Sequence, residues 1–322
     1  MVMAQSLFKT LLAKNSNVQV SVLAPEWTRP LLQRMPEVSQ TIGLPFGHGE
    51  LAWGKRREIA KEILKLNFDQ AIVLPGSLKS GLIPFWAKIP KRTGFRGEMR
   101  YGLLNDIRLL DKEKLSRTVQ RFVALGLPAA NPLPNEIPNP RLKVKPAEVE
   151  KALNRLEIKK IDQPILALCP GAEYGPAKRW PASHFAELAQ SQIEKGWQVW
   201  LFGSDKDVSI TQTINEKTDA QCLDLAGSTT LPEAVDLMSL AEVVVSNDSG
   251  LMHVAAALDK KVIALYGSSS PDFTPPLHAD AEIMSLNLEC SPCFKRECPL
   301  GHLNCLNNLS PESVSQKISD HN

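Results

Sequence analysis

Pro164-Ile165-Leu166-Ala167-Leu168-Cys169, running directly into Pro170-Gly171-Ala172-Glu173-Tyr174-Gly175-Pro176-Ala177-Lys178-Arg179-Trp180-Pro181, is the stretch on which the fold turns. A short apolar run stopped by Pro-Gly reads as a strand. The glycines and prolines after it shape a loop, and Pro181 suits the first turn of a helix over residues 182–195. Outward from there the alternation continues. Strands are predicted at residues 198–202, 222–225, 243–246 and 262–266, with helices near 207–218, 231–240 and from 250. Strand and helix in strict alternation is the pattern of a parallel sheet with crossover helices, a doubly wound α/β unit.

The N-terminal half carries the same signature. A helix over roughly 3–14 precedes a strand at 18–24, a helix from Leu51 to Leu66 and a strand at Gln70–Leu74 that Pro75-Gly76 ends. Between the halves, residues 127–146 are proline-rich and hold neither helix nor central strand. A helix near 147–156 follows. The expected organisation is a domain over 1–146 and a second over 147–322, and 322 residues suit two cores better than one.

Composition narrows the function classes. Charged residues at 22% and hydrophobic ones at 43% are ordinary for a globular chain, and no run approaches the roughly 18 apolar residues of a membrane helix. The start lacks the pattern of a secretory signal, which points to a cytoplasmic protein. A net charge of +2 gives no support to nucleic-acid binding. Walker, Gly-x-Ser-x-Gly and dinucleotide signatures are absent, which removes P-loop phosphoryl transfer and serine hydrolysis.

In open α/β sheets ligands bind beyond the C-terminal ends of strands, so the segments that follow strands carry the functional reading. The loop after Cys169 brings Lys178, a mobile point charge, toward a phosphate; the bland alternative is an exposed loop lysine. After Val243-Val244-Val245 comes Ser246-Asn247-Asp248-Ser249-Gly250-Leu251-Met252-His253. Asp248 or Ser249 is placed to cap the next helix. Gly250 lets a ligand approach backbone N–H groups, and His253 falls in the first turn, facing either the site or the core. Asp248 would repel a phosphate, so its ligand role is to accept hydrogen bonds from sugar hydroxyls. Gly203-Ser204-Asp205-Lys206-Asp207 and Gly227-Ser228-Thr229-Thr230 are weaker turns on the same sheet edge.

Two further clusters stand out. Lys88, Lys91, Arg92, Arg96 and Arg100, read as a basic loop, would attract an acidic acceptor; the alternative is a solvated basic face. Cys290, Cys293, Cys298 and Cys305 crowd near the C-terminus with His302. Cys-x-x-Cys suits a structural zinc, but Cys298 and Cys305 lack short spacing, so reduced structural thiols are the competing reading and the metal content is left open.

Together, the lysine loop, the Asn247–His253 segment and Cys290-Ser291-Pro292-Cys293-Phe294-Lys295-Arg296-Glu297-Cys298 resemble the ADP-heptose:lipopolysaccharide heptosyltransferase II family, glycosyltransferase family 9. The resemblance spans essentially the whole chain. It implies the GT-B fold, two Rossmann-like domains facing across a cleft, with the last helix packing back on the N-terminal domain, and catalysis without a metal or other cofactor. The implied reaction moves L-glycero-D-manno-heptose from ADP-heptose to the first heptose of the lipopolysaccharide inner core, with inversion. Lys178 would steady the donor phosphates, Ser249 and Gly250 would offer N–H groups, Asp248 would hold the heptose, and His253 and Thr229 would be further donor contacts. Lys91, Arg92, Arg96 and Arg100 are the acceptor-side candidates. Peripheral contact with the cytoplasmic face of the inner membrane follows from a lipid-linked acceptor.

One expectation limits the catalytic assignment. By resemblance the base is an aspartate in a Gly-Asp turn that precedes the segment matching Met1–Leu7, so no residue of this sequence is assigned that role; Asp106 and Glu98 are carboxylates without a motif. Two alternatives therefore stand beside the leading one: a related GT-B transferase with another donor or acceptor, and a catalytically silent donor-binding protein.

Overall fold

A computed structural model describes all residues except 48, 130, 160, 161 and 320–322. The chain forms two compact units, one comprising Met3–Pro138 and the other Asn139–Asn322. Between Gly126 and Pro146 the described residues form no helix or strand. The second half of that run is fastened to the C-terminal unit: the Leu142 N–H donates to the Ala257 carbonyl at 2.7 Å, and Arg141 pairs with Asp259 at 2.8 Å.

The N-terminal unit contains α1 (Gln5–Lys14), β1 (Val20–Pro25), α2 (Arg29–Leu32), β2 (Val38–Leu44), α3 (Trp53–Leu64), β3 (Gln70–Val73), α4 (Leu82–Trp86), β4 (Lys91–Phe95), β5 (Asp106–Arg108) and α5 (Thr118–Gly126). Its parallel strands form two sheets, β1-β2 and β3-β4-β5. Ala60 and Ile63 of α3, Ile83 of α4 and Ala87 just after it build one core, against which Leu23 of β1, Ile42 of β2 and Ala71 of β3 pack. β2 is one of the strands that periodicity missed, with β4, β5 and, in the C-terminal unit, Glu282–Met284; its side chains are half-buried or exposed and show no clean alternation.

The C-terminal unit runs α6 (Pro146–Arg155), β6 (Ile165–Cys169), α7 (Ala182–Glu194), β7 (Gln198–Leu201), α8 (Val208–Lys217), β8 (Leu223–Asp224), α9 (Leu231–Met238), β9 (Val243–Asn247), α10 (Gly250–Ala257), β10 (Lys261–Leu265), β11 (Glu282–Met284), α11 (Asn304–Asn307) and α12 (Pro311–Ser319). The sheet order is β11-β10-β9-β6-β7-β8, all parallel. Every residue of β6, β9 and β10 is buried, as expected of strands covered by helices on both faces. One large core joins Leu166 and Leu168 of β6, Val243 and Val245 of β9, and Phe185 and Leu188 of α7. The last helix, α12, adds Val314 and Ile318 to this same core and packs on α7.

The chain winds from β6 toward β7 and β8 on one side, then returns to lay β9 on the other side of β6. The topological switch point therefore lies between β6 and β9, where the two following loops diverge and leave a crevice. Among the described residues no helix is long and apolar enough to cross a membrane.

Candidate active site

The crevice is built from the segments that leave β6 and β9. Asn247, the last residue of β9 and fully buried, holds the long loop after β6 at both ends. Its Nδ2 donates to the Pro170 carbonyl at 2.7 Å, and its Oδ1 accepts the Trp180 N–H at 3.0 Å. Trp180 is itself fully buried and donates its indole N–H to the Leu309 carbonyl at 2.9 Å. The nine residues 171–179 are thereby spanned between two fixed points, and Lys178 projects from near the second.

Lys178 Nζ lies 2.5 Å from Asp248 Oδ2, with the two side chains 17% and 6% exposed. The cation thus neutralises the carboxylate that would otherwise repel a phosphate here. A group of mixed charge, phosphate on one side and hydroxyl-rich sugar on the other, suits this pair better than either residue alone.

Ser249 occupies the N-cap position of α10 with an extended backbone, yet its side chain caps no helix N–H; its hydroxyl lies 3.2 Å from that of Ser246. Among the described residues the first-turn N–H groups thus receive no side-chain cap. Gly250 is exposed, and a Cβ built on it would meet nothing within 4 Å, so the space before the helix N-terminus is open. An anion placed there is favoured by the helix dipole and by Lys178 beside it.

His253 sits one turn into α10. Its Nδ1 is enclosed with no hydrogen-bond partner among the described residues, and burial pushes the imidazole down to about 4, against the opposing pull of Asp248. The ring is therefore neutral at physiological pH and adds no charge beside Asp248.

Thr229 stands apart from this group. It follows β8, at the sheet edge beyond β7, and its hydroxyl donates to the Leu225 carbonyl at 3.1 Å. Its neighbour Thr230 donates its hydroxyl to Glu233, closing the start of α9. The Gly203–Asp207 turn supports the lysine loop from below, since a Cβ at Gly171 would run into the Asp207 carboxylate.

The basic segment is not one loop. Lys91 and Arg92 begin strand β4, at the end opposite to the ligand edge, because their backbones pair with Gln70 and Ala71 of β3. Arg92 donates to the carbonyls of Leu103 (2.7 Å) and Ile89 (2.6 Å). Arg100 is 2% exposed and gives its guanidinium to the carbonyls of Pro75 and Phe95. Both arginines thus commit guanidinium donors to backbone carbonyls. Arg96, exposed just past the C-terminal end of β4, is the member that remains at the ligand edge.

Asp106 accepts from Arg108 and from the Thr93 hydroxyl, each at 2.9 Å, and the Arg108 bond holds its carboxyl below the usual range, a poor state for a base. Glu98 accepts the Leu78 N–H at 2.9 Å. The six cysteines are unpaired, and among the described residues no group of three or more His, Cys, Asp or Glu side chains is placed to hold a metal ion. Phe294 and Arg296 of the same segment contact Tyr174 in the lysine loop, which the spacing of the cysteines did not disclose.

Comparison with known proteins gives a consistent picture. Residues 56–304 match the family model of glycosyltransferase family 9 (heptosyltransferase). The chain is 45% identical to lipopolysaccharide heptosyltransferase 2 of Escherichia coli (strain K12) and 46% identical to that of Salmonella typhimurium, each over 99% of this chain and 94% of the relative. The structure of E. coli ADP-heptose lps heptosyltransferase II superposes with a TM-score of 0.88 at 42% identity, covering 99% of this chain and 94% of that one. The two α/β units are those of the GT-B fold. The switch-point crevice, the long lysine loop and the open start of α10 thus lie in a chain that belongs to glycosyltransferase family 9, the heptosyltransferases.

Proposed function

We propose that this chain transfers L-glycero-D-manno-heptose from ADP-heptose to the first heptose of the lipopolysaccharide inner core, inverting the anomeric centre, and that Lys178, Asp248, Ser249, Gly250 and His253 form its donor site. The observation that carries the reading is the Lys178–Asp248 pair set over the open N-terminus of α10 at the switch point. The 45% identity to lipopolysaccharide heptosyltransferase 2 supports the choice of donor and acceptor.

The chemistry follows from charge. As the bond from the anomeric carbon to the diphosphate lengthens, negative charge grows on the departing ADP. Lys178 and the first-turn N–H groups of α10 face that charge, so their attraction strengthens as it grows toward the transition state. Asp248 accepts hydrogen bonds from heptose hydroxyls, and the neutral His253 adds one more polar contact. Thr229 is assigned a peripheral donor contact and Arg96 an acceptor contact. Lys91 lies too far from the ligand edge of β4 to share that role. The protein works at the cytoplasmic face of the inner membrane, where its lipid-linked acceptor is presented.

Calorimetric titration with ADP-heptose tests the reading: saturable binding is expected, with loss of at least tenfold in affinity for Lys178→Ala. Unchanged affinity in that variant would sink it. A thermal-shift panel of other nucleotide sugars identifies the donor, and a larger shift with any of them than with ADP-heptose would point to another transferase of the same fold.

A further inference from the structure

The loop that carries Lys178 is anchored at its ends by Asn247, but its middle is held from elsewhere. The Ala177 N–H donates to the Arg296 carbonyl at 3.0 Å. Arg296 Nε donates to the Tyr174 carbonyl at 2.7 Å, and the Tyr174 hydroxyl donates to the Phe294 carbonyl at 2.9 Å. Gly175 leaves room for this approach, since a Cβ there would stand 2.5 Å from the Arg296 oxygen. Phe294 is tied in turn to the end of β10, its N–H donating to the Ser268 carbonyl at 2.6 Å.

The Tyr174 ring collects two cations. Lys178 Nζ lies 5.1 Å from its centroid and the Arg296 guanidinium carbon 5.7 Å, both within cation–π range. Tyr174 is 44% exposed, so its place is not explained by core packing. The ring lies beside the ammonium that Asp248 holds.

We infer that Tyr174 and Arg296 are positioning residues for Lys178, and that the cysteine-flanked segment around Arg296 serves the donor site as a brace. Among the described residues, the hydrogen bonds that 294–296 make to the loop fall between its two Asn247 anchors. Removing the Arg296 side chain therefore leaves both anchors and the core in place while freeing the part of the loop that aims the ammonium. This inference rests on the donor reading of Lys178, and the test separates the two.

The first measurement uses no ligand. Lys178 acylation by acetic anhydride, read by peptide mass spectrometry against the exposed Lys61 of α3 as internal reference, is expected to run roughly 3- to 10-fold faster in Tyr174→Leu, which removes the ring, and in Arg296→Ala, which releases it, an amount matching a lost cation–π contact. Tyr174→Phe, which keeps the ring, should stay within twofold of the unmodified chain. Equal Lys178 labelling in all four proteins overturns the inference, whatever the donor proves to be.

The second measurement is titration with ADP. Arg296→Ala is expected to weaken ADP several-fold in the otherwise unmodified chain, and to have no further effect in the Lys178→Ala background, because residues acting as a unit are not additive. Arg296→Lys, which retains charge but loses the Nε–H geometry, should recover less than half of the loss. An equal Arg296→Ala effect in both backgrounds overturns the positioning role. Failure of the unmodified chain to bind ADP at all would count against the donor reading, and the labelling result then decides the positioning role by itself.

Discussion

Lys178 Nζ and Asp248 Oδ2 meet at 2.5 Å across the β6–β9 crevice, from loops 70 residues apart, with little exposure of either side chain. Removing one member of such a pair leaves an uncompensated charge in a poorly solvated place, which costs about 3 kcal/mol. Lys178→Ala is therefore expected to lower stability in urea denaturation as well as donor affinity. Adding Asp248→Asn to that variant should restore most of the stability and none of the affinity. Recovery of both would show that the pair serves folding only.

Asn247 makes two buried hydrogen bonds that join β9 to both ends of the Lys178 loop. Asn247→Ala leaves the Pro170 carbonyl and the Trp180 N–H without that partner, at about 1–3 kcal/mol each. The expected outcome is a drop of several kcal/mol in unfolding free energy, and in the fraction that stays folded, weaker ADP binding. A loss in stability below about 1 kcal/mol would mean that the loop is held by other contacts.

Gly250 separates binding from stability in the opposite sense. With no neighbour within 4 Å of its missing Cβ, Gly250→Ala is expected to fold normally and to gain up to about 1 kcal/mol at the start of α10. The added methyl enters the space where a phosphate would approach the helix, so ADP affinity should fall at least fivefold. Unchanged affinity would place the diphosphate elsewhere.

His253 makes stability depend on pH. Its folded-state value of about 4 lies below the ordinary 6.5, so between those values the unfolded chain takes up a proton that the folded imidazole refuses. Stability is therefore level above pH 7 and falls as pH drops from 6.5 toward 4, by up to roughly 3 kcal/mol from this residue. Denaturation curves at pH 7.5 and 5 are expected to differ less in His253→Gln than in the unmodified chain.

The thiols should differ in reactivity. Backbone N–H groups, that of Leu303 foremost, hold the Cys298 thiol below its ordinary range, whereas burial and then the neighbouring thiols raise Cys305. Burial pushes Cys169 up to about 12. Timed iodoacetamide labelling should modify Cys298 before Cys305 and leave Cys169 unmodified in the folded chain.

Much of the C-terminal unit is legible in the residues themselves. Ile165–Cys169, Val243–Asn247 and Lys261–Leu265 are apolar runs of strand length between loop signals, and a local pattern of that kind survives whatever surrounds it. The segments that follow β6 and β9 were legible too, since the strand ends of an α/β sheet mark where ligands go. In the N-terminal unit, Lys91–Phe95 is a strand because β3 and β5 flank it, a tertiary cause that its basic, glycine-containing sequence does not display.

Side-chain partnership lay beyond the sequence. Nothing local says that Arg100 spends its charge on Pro75 and Phe95, that Asn247 grips Pro170 and Trp180, or that Arg296 reaches Tyr174 across 122 residues. Hydrogen bonds and ion pairs are short-ranged, so which polar group is consumed and which is left for a ligand depends on distances of a few ångströms between segments remote in the chain. Periodicity and turn chemistry determined the alternation of strands and helices and the loops worth reading. Only the packed structure decided which cations on those loops remain free to act and which hold the backbone together.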